Sequence, residues 1–405
     1  MLYVLLIIAA IIGLLSGIYC LFHFLLALFG LKKPEPDTTD AKKNHKFTAI
    51  ISARNEENVI SGIIKSLKEQ DYPKDLLDVI VIADNCTDST AEKAKEAGAT
   101  VYERNQPDKA MKGYALEWLI DQLLADEKFD SDAIFVFDAD NVADKNFVKR
   151  MNVALDNGSK MAQGYRDSKN PFDSSVSGAY SIYFLTLMRF FMLARKNLGI
   201  SAFIGGTGFM LSTELLRQCG GWHTKEICED VEFTMYRLAE GVTVDFIPDA
   251  VFFDEQPVLF SQSWHQRIRW TTGNWNCIKT CVPIVWNAKQ VSLMDRLAAF
   301  MHLMTVPSML LGFVSLVLSV FIMLFVGEQF LLFSILSFII SLLSGAIAMI
   351  FEAVLVLALE KKDILANIKG ILGFPIFVYT FLVINFVGVV KPATTWKPVI
   401  HGEKK

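Results

Sequence analysis

Apolar positions fall into four long unbroken runs around a middle segment of alternating character. Residues 2–31, LYVLLIIAAIIGLLSGIYCLFHFLLALFGL, contain only His23 as a strongly polar side chain. About 20 apolar residues span a bilayer, so this run predicts a membrane helix with some tilt. It has neither the basic start nor the small-residue cleavage site of a signal peptide, which predicts an uncleaved anchor over residues 1–31. Runs at 300–326 and 329–359, the second broken by Glu352, predict a hairpin of two further spans. A fourth run, 371–390, holds Pro375 and completes a C-terminal membrane unit over 296–391, followed by a tail at 392–405. Lys32 and Lys33 follow the first run, and Lys361 and Lys362 lie between the third and fourth. By the positive-inside rule these ends lie in the cytoplasm.

Residues 33–290 are domain-sized and of ordinary polarity. FTAIIS (47–52), DVIVIAD (78–84), TVYERN (100–105) and AIFVFDAD (133–140) read as strands. Between them, 56–70 places Val59, Ile63, Ile64 and Leu67 on one helical face, and 88–97 forms a short polar helix closed near Gly98. Residues 110–127 do the same with Leu116, Leu119, Leu123 and Leu124. This alternation predicts a mostly parallel, Rossmann-like α/β sheet, in which ligands bind beyond the C-terminal strand ends.

Composition supports the division. The 405 residues are 52% hydrophobic and 20% charged, with a mean hydropathy of +0.36. That excess exceeds what one or two soluble cores need and is accounted for by the four runs. A net charge of −4 argues against a nucleic-acid binder held by a basic surface. Six cysteines without a CxxC pair argue against a disulfide scaffold. Cys277 and Cys281, at i and i+4, are expected to share a helix face and pack.

The strand ends carry the chemistry. The first ends in Ala53-Arg54-Asn55-Glu56-Glu57, the second in Asp84-Asn85-Cys86-Thr87-Asp88 and the fourth in Asp138-Ala139-Asp140. Helix capping accounts for Thr87 and Asp88. Asp138 and Asp140 end an apolar strand, where two like charges repel unless a cation relieves them, and a hard divalent ion suits them. Lys112-Gly113 stands before a helix, either as a solvated loop lysine or as a phosphate contact. Gly205-Gly206-Thr207-Gly208 is a tight turn or a close backbone approach. Glu229, Asp230 and Glu232 crowd a helix start, where the dipole favours them and where one can serve as a general base. Gln266-Arg267-Ile268-Arg269-Trp270 offers bidentate phosphate contacts and a flat sugar-stacking face, or else interfacial anchoring.

As a set, SARNEE (52–57), IADNCTDST (82–90), KG (112–113), DAD (138–140), GGTGF (205–209), CED (228–230) and QRIRW (266–270) resemble the membrane-integrated family 2 glycosyltransferases, the group of cellulose, hyaluronan and poly-N-acetylglucosamine synthases. The resemblance implies a cytoplasmic GT-A domain joined to α-helical transmembrane segments in the cell membrane. It also implies a UDP-sugar donor of glucose or N-acetylglucosamine type, Mg²⁺ or Mn²⁺, and inversion at the anomeric carbon. By it, Asn55, Glu56 and Asp84 bind the nucleotide, Lys112 and Arg269 hold phosphate, Asp138 and Asp140 hold the metal, and Asp138 also meets the donor. Asp230 is the general base, with Glu229 beside it, while Gly206, Thr207, Gly208, Gln266 and Trp270 bind the acceptor. Cys228 departs from the threonine often found before Glu-Asp in polymer synthases. The implied acceptor is a growing β-linked polysaccharide exported through the protein's own helices, with a single transfer to a lipid as the alternative. A transporter with a nucleotide-sensing domain is a third reading, disfavoured by the scarcity of charge in the C-terminal runs.

Asp140 and Asp230 flank the apolar segment 177–197, and both must serve one site. The segment is too short to cross twice, so it is expected to lie along the membrane surface or inside the domain, with Arg189 and Arg195 toward headgroups. A second interfacial helix is expected near 265–285.

Overall fold

Four apolar segments form the parallel half of one sheet. The computed structural model describes residues 2–34, 39–323, 325 and 328–393. Within it β1 (Phe47–Ala53), β2 (Leu77–Asp84), β3 (Thr100–Arg104) and β4 (Ala133–Asp138) pair in parallel. The short β5 (Val142–Ala143), then β6 (Met161–Ser168), β7 (Phe209–Ser212) and β8 (Val244–Asp254) extend it to eight strands in the order β3-β2-β1-β4-β7-β6-β8-β5. β7 runs antiparallel to both β4 and β6, and β6 runs parallel to β8. The sequence reading anticipates β1–β4 and none of the other four. β6, MAQGYRDS, is almost wholly buried yet mixes glycine with amide and charged side chains, so no apolar run marks it.

Helices follow in chain order as α1 (Leu2–Phe29), α2 (Ile60–Lys68), α3 (Thr90–Glu96), α4 (Lys112–Ala125), α5 (Phe147–Asp156), α6 (Ser175–Thr186), α7 (Ala194–Leu198), α8 (Thr213–Cys219) and α9 (Glu229–Ala239). α2 and α5 cover one sheet face, where Ile63, Ile64, Phe147 and Met151 pack on Phe135 and Phe137. The expected helix over 56–70 begins four residues late because the Glu56 backbone N–H donates to Thr90 Oγ1 at 2.8 Å, holding that stretch as a loop. α4, α8 and α9 cover the other face with Leu116, Leu119, Leu216, Trp222 and Phe233.

α10 (Phe260–Asn287), α11 (Leu293–Leu303), α12 (Thr305–Met323), α13 (Glu328–Leu359) and α14 (Ile368–Val390) complete the chain. Among the described residues, five helical stretches are long and apolar enough to cross a membrane: Tyr3–Phe29, Ser175–Leu198, Thr305–Met323, Leu331–Leu359 and Ile368–Val390. The second differs from the rest, being 67% buried inside the protein. It comprises α6, a π-helix over Leu187–Leu193, and α7. It lies between the sheet and α14, so that Phe374, Phe377 and Phe381 join the same core as Tyr180 and Phe184. α10 exposes Phe260, Ile284 and Trp286 along its length. Most of the expected tail, 394–405, lies outside the described residues.

Arg189 and Arg195 do not reach toward headgroups. Both are buried. Arg189 pairs with Glu360 at 3.1 Å and donates to the Leu31 carbonyl at 2.6 Å. Arg195 donates to the Ala298 carbonyl at 3.1 Å. Each bonds a backbone carbonyl of a neighbouring segment, a use of arginine that spacing alone does not reveal.

α6 and α14 touch at Gly178 and Gly370, where a Cβ on either would come within 2.7 Å of the other's backbone. Gly370→Leu is therefore expected to force α14 off α6 and destabilise the protein by about 1–3 kcal/mol, the usual cost of overpacking. A fall in the thermal midpoint of the detergent-solubilised protein would show it, and an unchanged midpoint would refute the contact.

Candidate active site

Register brings the strand ends level. Ser52 stands opposite both Ile82 and Asp138, and Asp84 stands opposite Arg104. β6 and β8 run in the same direction as β4, so Arg166 and Asp254 reach the same edge. β7 runs the other way and delivers the preceding loop, 205–208, to that edge. Two asparagines in the left-handed region, Asn55 (φ 56°) and Asn85 (φ 51°), turn the chain after β1 and β2. Their side chains tie neighbouring loops together: Thr87 N donates to Asn55 Oδ1 at 2.8 Å and Gln106 N donates to Asn85 Oδ1 at 2.7 Å. Asparagine tolerates this conformation because its short amide bonds locally.

The edge opens into a cavity of about 460 Å³, a size typical of small-molecule sites. Glu56, Asp84, Lys112, Asp138, Asp140, Gly206, Glu229, Asp230, Gln266, Arg269 and Trp270, drawn from segments far apart in the chain, all line it. Three other expected site residues do not. Asn55 is the loop strut just described. Thr207 is fully buried, accepting from the Asp138 N–H at 2.9 Å and bonding Asn141 Oδ1, so it positions Asp138 from behind. Gly208 presses on Phe252, whose ring a Cβ would strike at 2.1 Å.

The charges are interlocked. Asp84 is buried and bound by Arg104 at 2.5 Å and by Asn85 Nδ2 at 2.9 Å. Lys112 contacts the Asp138 carboxylate and donates to the Gly206 carbonyl at 2.7 Å. Burial works against its ammonium, but Asp138, Glu229 and Asp230 outweigh that and hold its pKa above the ordinary value. Glu229, deeply buried and beside Asp230, has its pKa pushed up to about 8, by burial first and its neighbour second. Burial also raises Asp230, against the Val231 N–H that donates to it at 2.8 Å and the nearby cations Lys112 and Arg166. Burial lowers Arg269, while Glu229, Cys228 and Asp138 oppose the shift. Burial raises both adjacent acids, and at Asp230 the Val231 N–H and the cations Lys112 and Arg166 oppose the shift.

Asp138 and Asp140 fit a hard divalent cation. Both carboxylates face the cavity, and Asp138 already accepts a cationic partner in Lys112. Trp270 presents its ring to the cavity, held edge-on against Tyr180 and Phe184 at 6.1 Å each. The buried Oε1 of Gln266 has no hydrogen-bond partner among the described residues.

Residues 45–273, more than half of the chain, match the model of a family described as glycosyltransferase like family 2. The chain belongs to glycosyltransferase family 2. Among curated relatives, the probable glycosyltransferase YdaM of Bacillus subtilis (strain 168) is 29% identical over 240 residues, which cover 58% of this chain and 56% of that protein. A beta-monoglucosyldiacylglycerol synthase of Nostoc sp. is 26% identical over 236 residues, covering 56% of this chain and 48% of the synthase. The chain thus spans about half the length of these two relatives. Among solved structures, the mannosyltransferase PcManGT from Pyrobaculum calidifontis is 18% identical, with a TM-score of 0.62 over 96% of this chain and 99% of that one. The fold is accordingly GT-A.

Three further residues that line the cavity escaped the sequence reading. Gln163 on β6 accepts from Gly205 N at 2.8 Å and donates to the Thr207 carbonyl at 3.0 Å, clamping the glycine loop. Arg166, also on β6, donates to the Gly205 carbonyl at 2.7 Å and lies over the Phe184 ring at 4.5 Å. Asp254, at the end of β8, accepts from Asn141 at 2.9 Å. The signal was available in part: VDFIPDAVFFD alternates buried and exposed positions along β8 and ends on its acid.

A raised folded-state pKa on a carboxyl means that the native state holds a proton the unfolded chain has released. Stability therefore falls as pH rises from about 4.5 through about 8. Glu229→Gln is expected to flatten this fall and raise the thermal midpoint at pH 8. Parallel midpoint–pH curves for the two proteins would contradict it.

Proposed function

We propose that the protein is an inverting glycosyltransferase of the cell membrane, its GT-A domain facing the cytoplasm, that moves a sugar from a UDP-sugar to a hydroxyl acceptor. One observation carries the reading: a general-base candidate, Asp230, shares a single cavity with Lys112, Arg269 and the paired acids Asp138 and Asp140. That is the apparatus for displacing a nucleoside diphosphate. The domain division, with 33–290 catalytic and 1–31 and 296–391 in the membrane, forms part of the proposal.

Asp230 accepts the acceptor's hydroxyl proton as its oxygen forms the new bond to the anomeric carbon, and the bond from that carbon to the diphosphate oxygen breaks. Glu229, still protonated, adds no second negative charge near the diphosphate. Arg269 and Lys112 stabilise charge developing on the leaving group. A divalent cation at Asp138 and Asp140, Mg²⁺ or Mn²⁺, would supply further neutralisation of that charge. A single displacement inverts the anomeric centre and needs no nucleophile on the opposite face. Asp84, held by Arg104, is placed to meet the base, and Trp270 and Gln266 to meet the acceptor.

With a panel of UDP- and GDP-sugars and Mg²⁺ or Mn²⁺, the purified protein is expected to release nucleoside diphosphate from one donor. Asp230→Asn should lower the rate by roughly 10²–10⁴-fold, the usual contribution of a general base, and leave donor affinity within about twofold. Full turnover in that variant would remove Asp230 from the mechanism. Donor binding without turnover across all acceptors would favour a sensing role.

A further inference from the structure

The cavity continues past the catalytic acids and changes character. Beyond Glu229 and Asp230 its wall is Met188, Phe191 and Met192 from the π-helix, facing Phe203 from the loop before β7 and Val306 and Met309 from α12. We propose that this apolar sleeve holds the hydrocarbon of an uncharged membrane lipid whose hydroxyl is the acceptor. The inference rests on the reading of Asp230 as base and selects a lipid over a polysaccharide.

Four observations carry it. First, these six thioether, aromatic and aliphatic side chains favour methylenes, and the polar residues beside them are engaged within the protein: Thr305 with Tyr19, Asn385 with Thr271, and His302 stacked on Phe203 at 4.4 Å. Second, the sleeve has no lysine or arginine on its wall among the described residues. The Arg195 guanidinium lies against Phe191 and Phe203, with its carbon 4.2 and 4.5 Å from their ring centres. The head group meets Asp230 instead, and a base there needs an acceptor hydroxyl that carries a proton, which an alkyl phosphate dianion lacks. Third, α12 and α14 border the sleeve, and both are long and apolar enough to cross a bilayer. A lipid can therefore enter sideways, without leaving hydrocarbon. Fourth, the wall is adaptable. π-helical turns gather at functional sites, and methionine fits chains of irregular shape.

The hydroxyl then lies at Asp230 with the tail directed away from the diphosphate. This orientation makes transfer depend on chain length. Each methylene that reaches the sleeve adds about 0.8 kcal/mol, so two raise the specificity constant roughly tenfold.

The test uses the full chain in detergent, with the donor identified above. Acceptors are a series of monoacylglycerols of increasing chain length, a long-chain alkyl phosphate and a set of soluble oligosaccharides. The expected product is an organic-extractable glycolipid formed from the neutral lipids. The specificity constant should climb with chain length, and the alkyl phosphate should be a poor acceptor. Met192→Trp and, independently, Val306→Trp should flatten that climb while donor affinity stays within twofold of the parent protein. Three results would overturn the inference: elongation of soluble oligosaccharides without a lipid product, preference for the alkyl phosphate, or an unchanged chain-length response in both variants. A protein that binds no nucleotide sugar at all would instead defeat the parent reading.

Discussion

Two adjacent carboxylates at the start of α9, one buried and one half-buried at the cavity wall, set the terms for everything around them. Buried acids must lose their charge or be given opposite charge. Here both happen. Glu229 keeps its proton, while Asp230 has cations within reach from α4, β6 and α10. The start of an eleven-residue helix contributes its positive dipole end to the same spot. Lys112 binds at once an acid at the end of β4 and a carbonyl in the loop before β7, so the charge that steadies Asp230 also spans the cavity. Arg104 does for Asp84 what Lys112 does for Asp138. Stability and electrostatic readiness come from the same few ion pairs.

The sheet makes that balance geometrically possible. Parallel pairing levels the ends of β1–β4, and one antiparallel strand, β7, brings a glycine loop to the same rim. Gly206 (φ 76°) and Gly208 (φ 63°) give that loop its path. Gln163 and Thr207, both buried, fasten it from below. The visible site residues thus stand on a buried polar under-layer.

The parallel strands, the long apolar runs and most of the charged residues on the cavity wall were legible in the sequence because each leaves a contiguous mark. β4 is an apolar run ending on an acid, and Arg269 and Trp270 sit together ahead of a long apolar region. What stayed hidden shares a different property. β6 buries Gln163 and holds Arg166 at the rim, yet reads as a polar stretch, because its burial is decided by partners from residues 205–208 and 254. Thr207 has a composition suited to ligand contact, but the Asp138 backbone claims its hydroxyl. Arg189 and Arg195 sit in an apolar helix, a pattern that suggests snorkelling to a surface. Only the meeting of α1, α11 and that helix shows which carbonyls they serve. Local pattern reports what a segment is made of, and long-range contact decides which face of it is inside.

The near-contact of α6 with α14, glycine against glycine, joins the cores of two units that composition separates cleanly. Phe374, Phe377 and Phe381 share one core with Tyr180 and Phe184, and Phe377 meets the Tyr180 ring at 4.7 Å. The α/β domain is therefore not packed as a module apart from α14. Cut free of its last helix, it would show water the aromatic surface on which Trp270 is braced. Transplanted onto another set of helices, it would need that surface remade residue by residue. The boundary that divides the chain in hydropathy is, in three dimensions, a seam through one continuous interior.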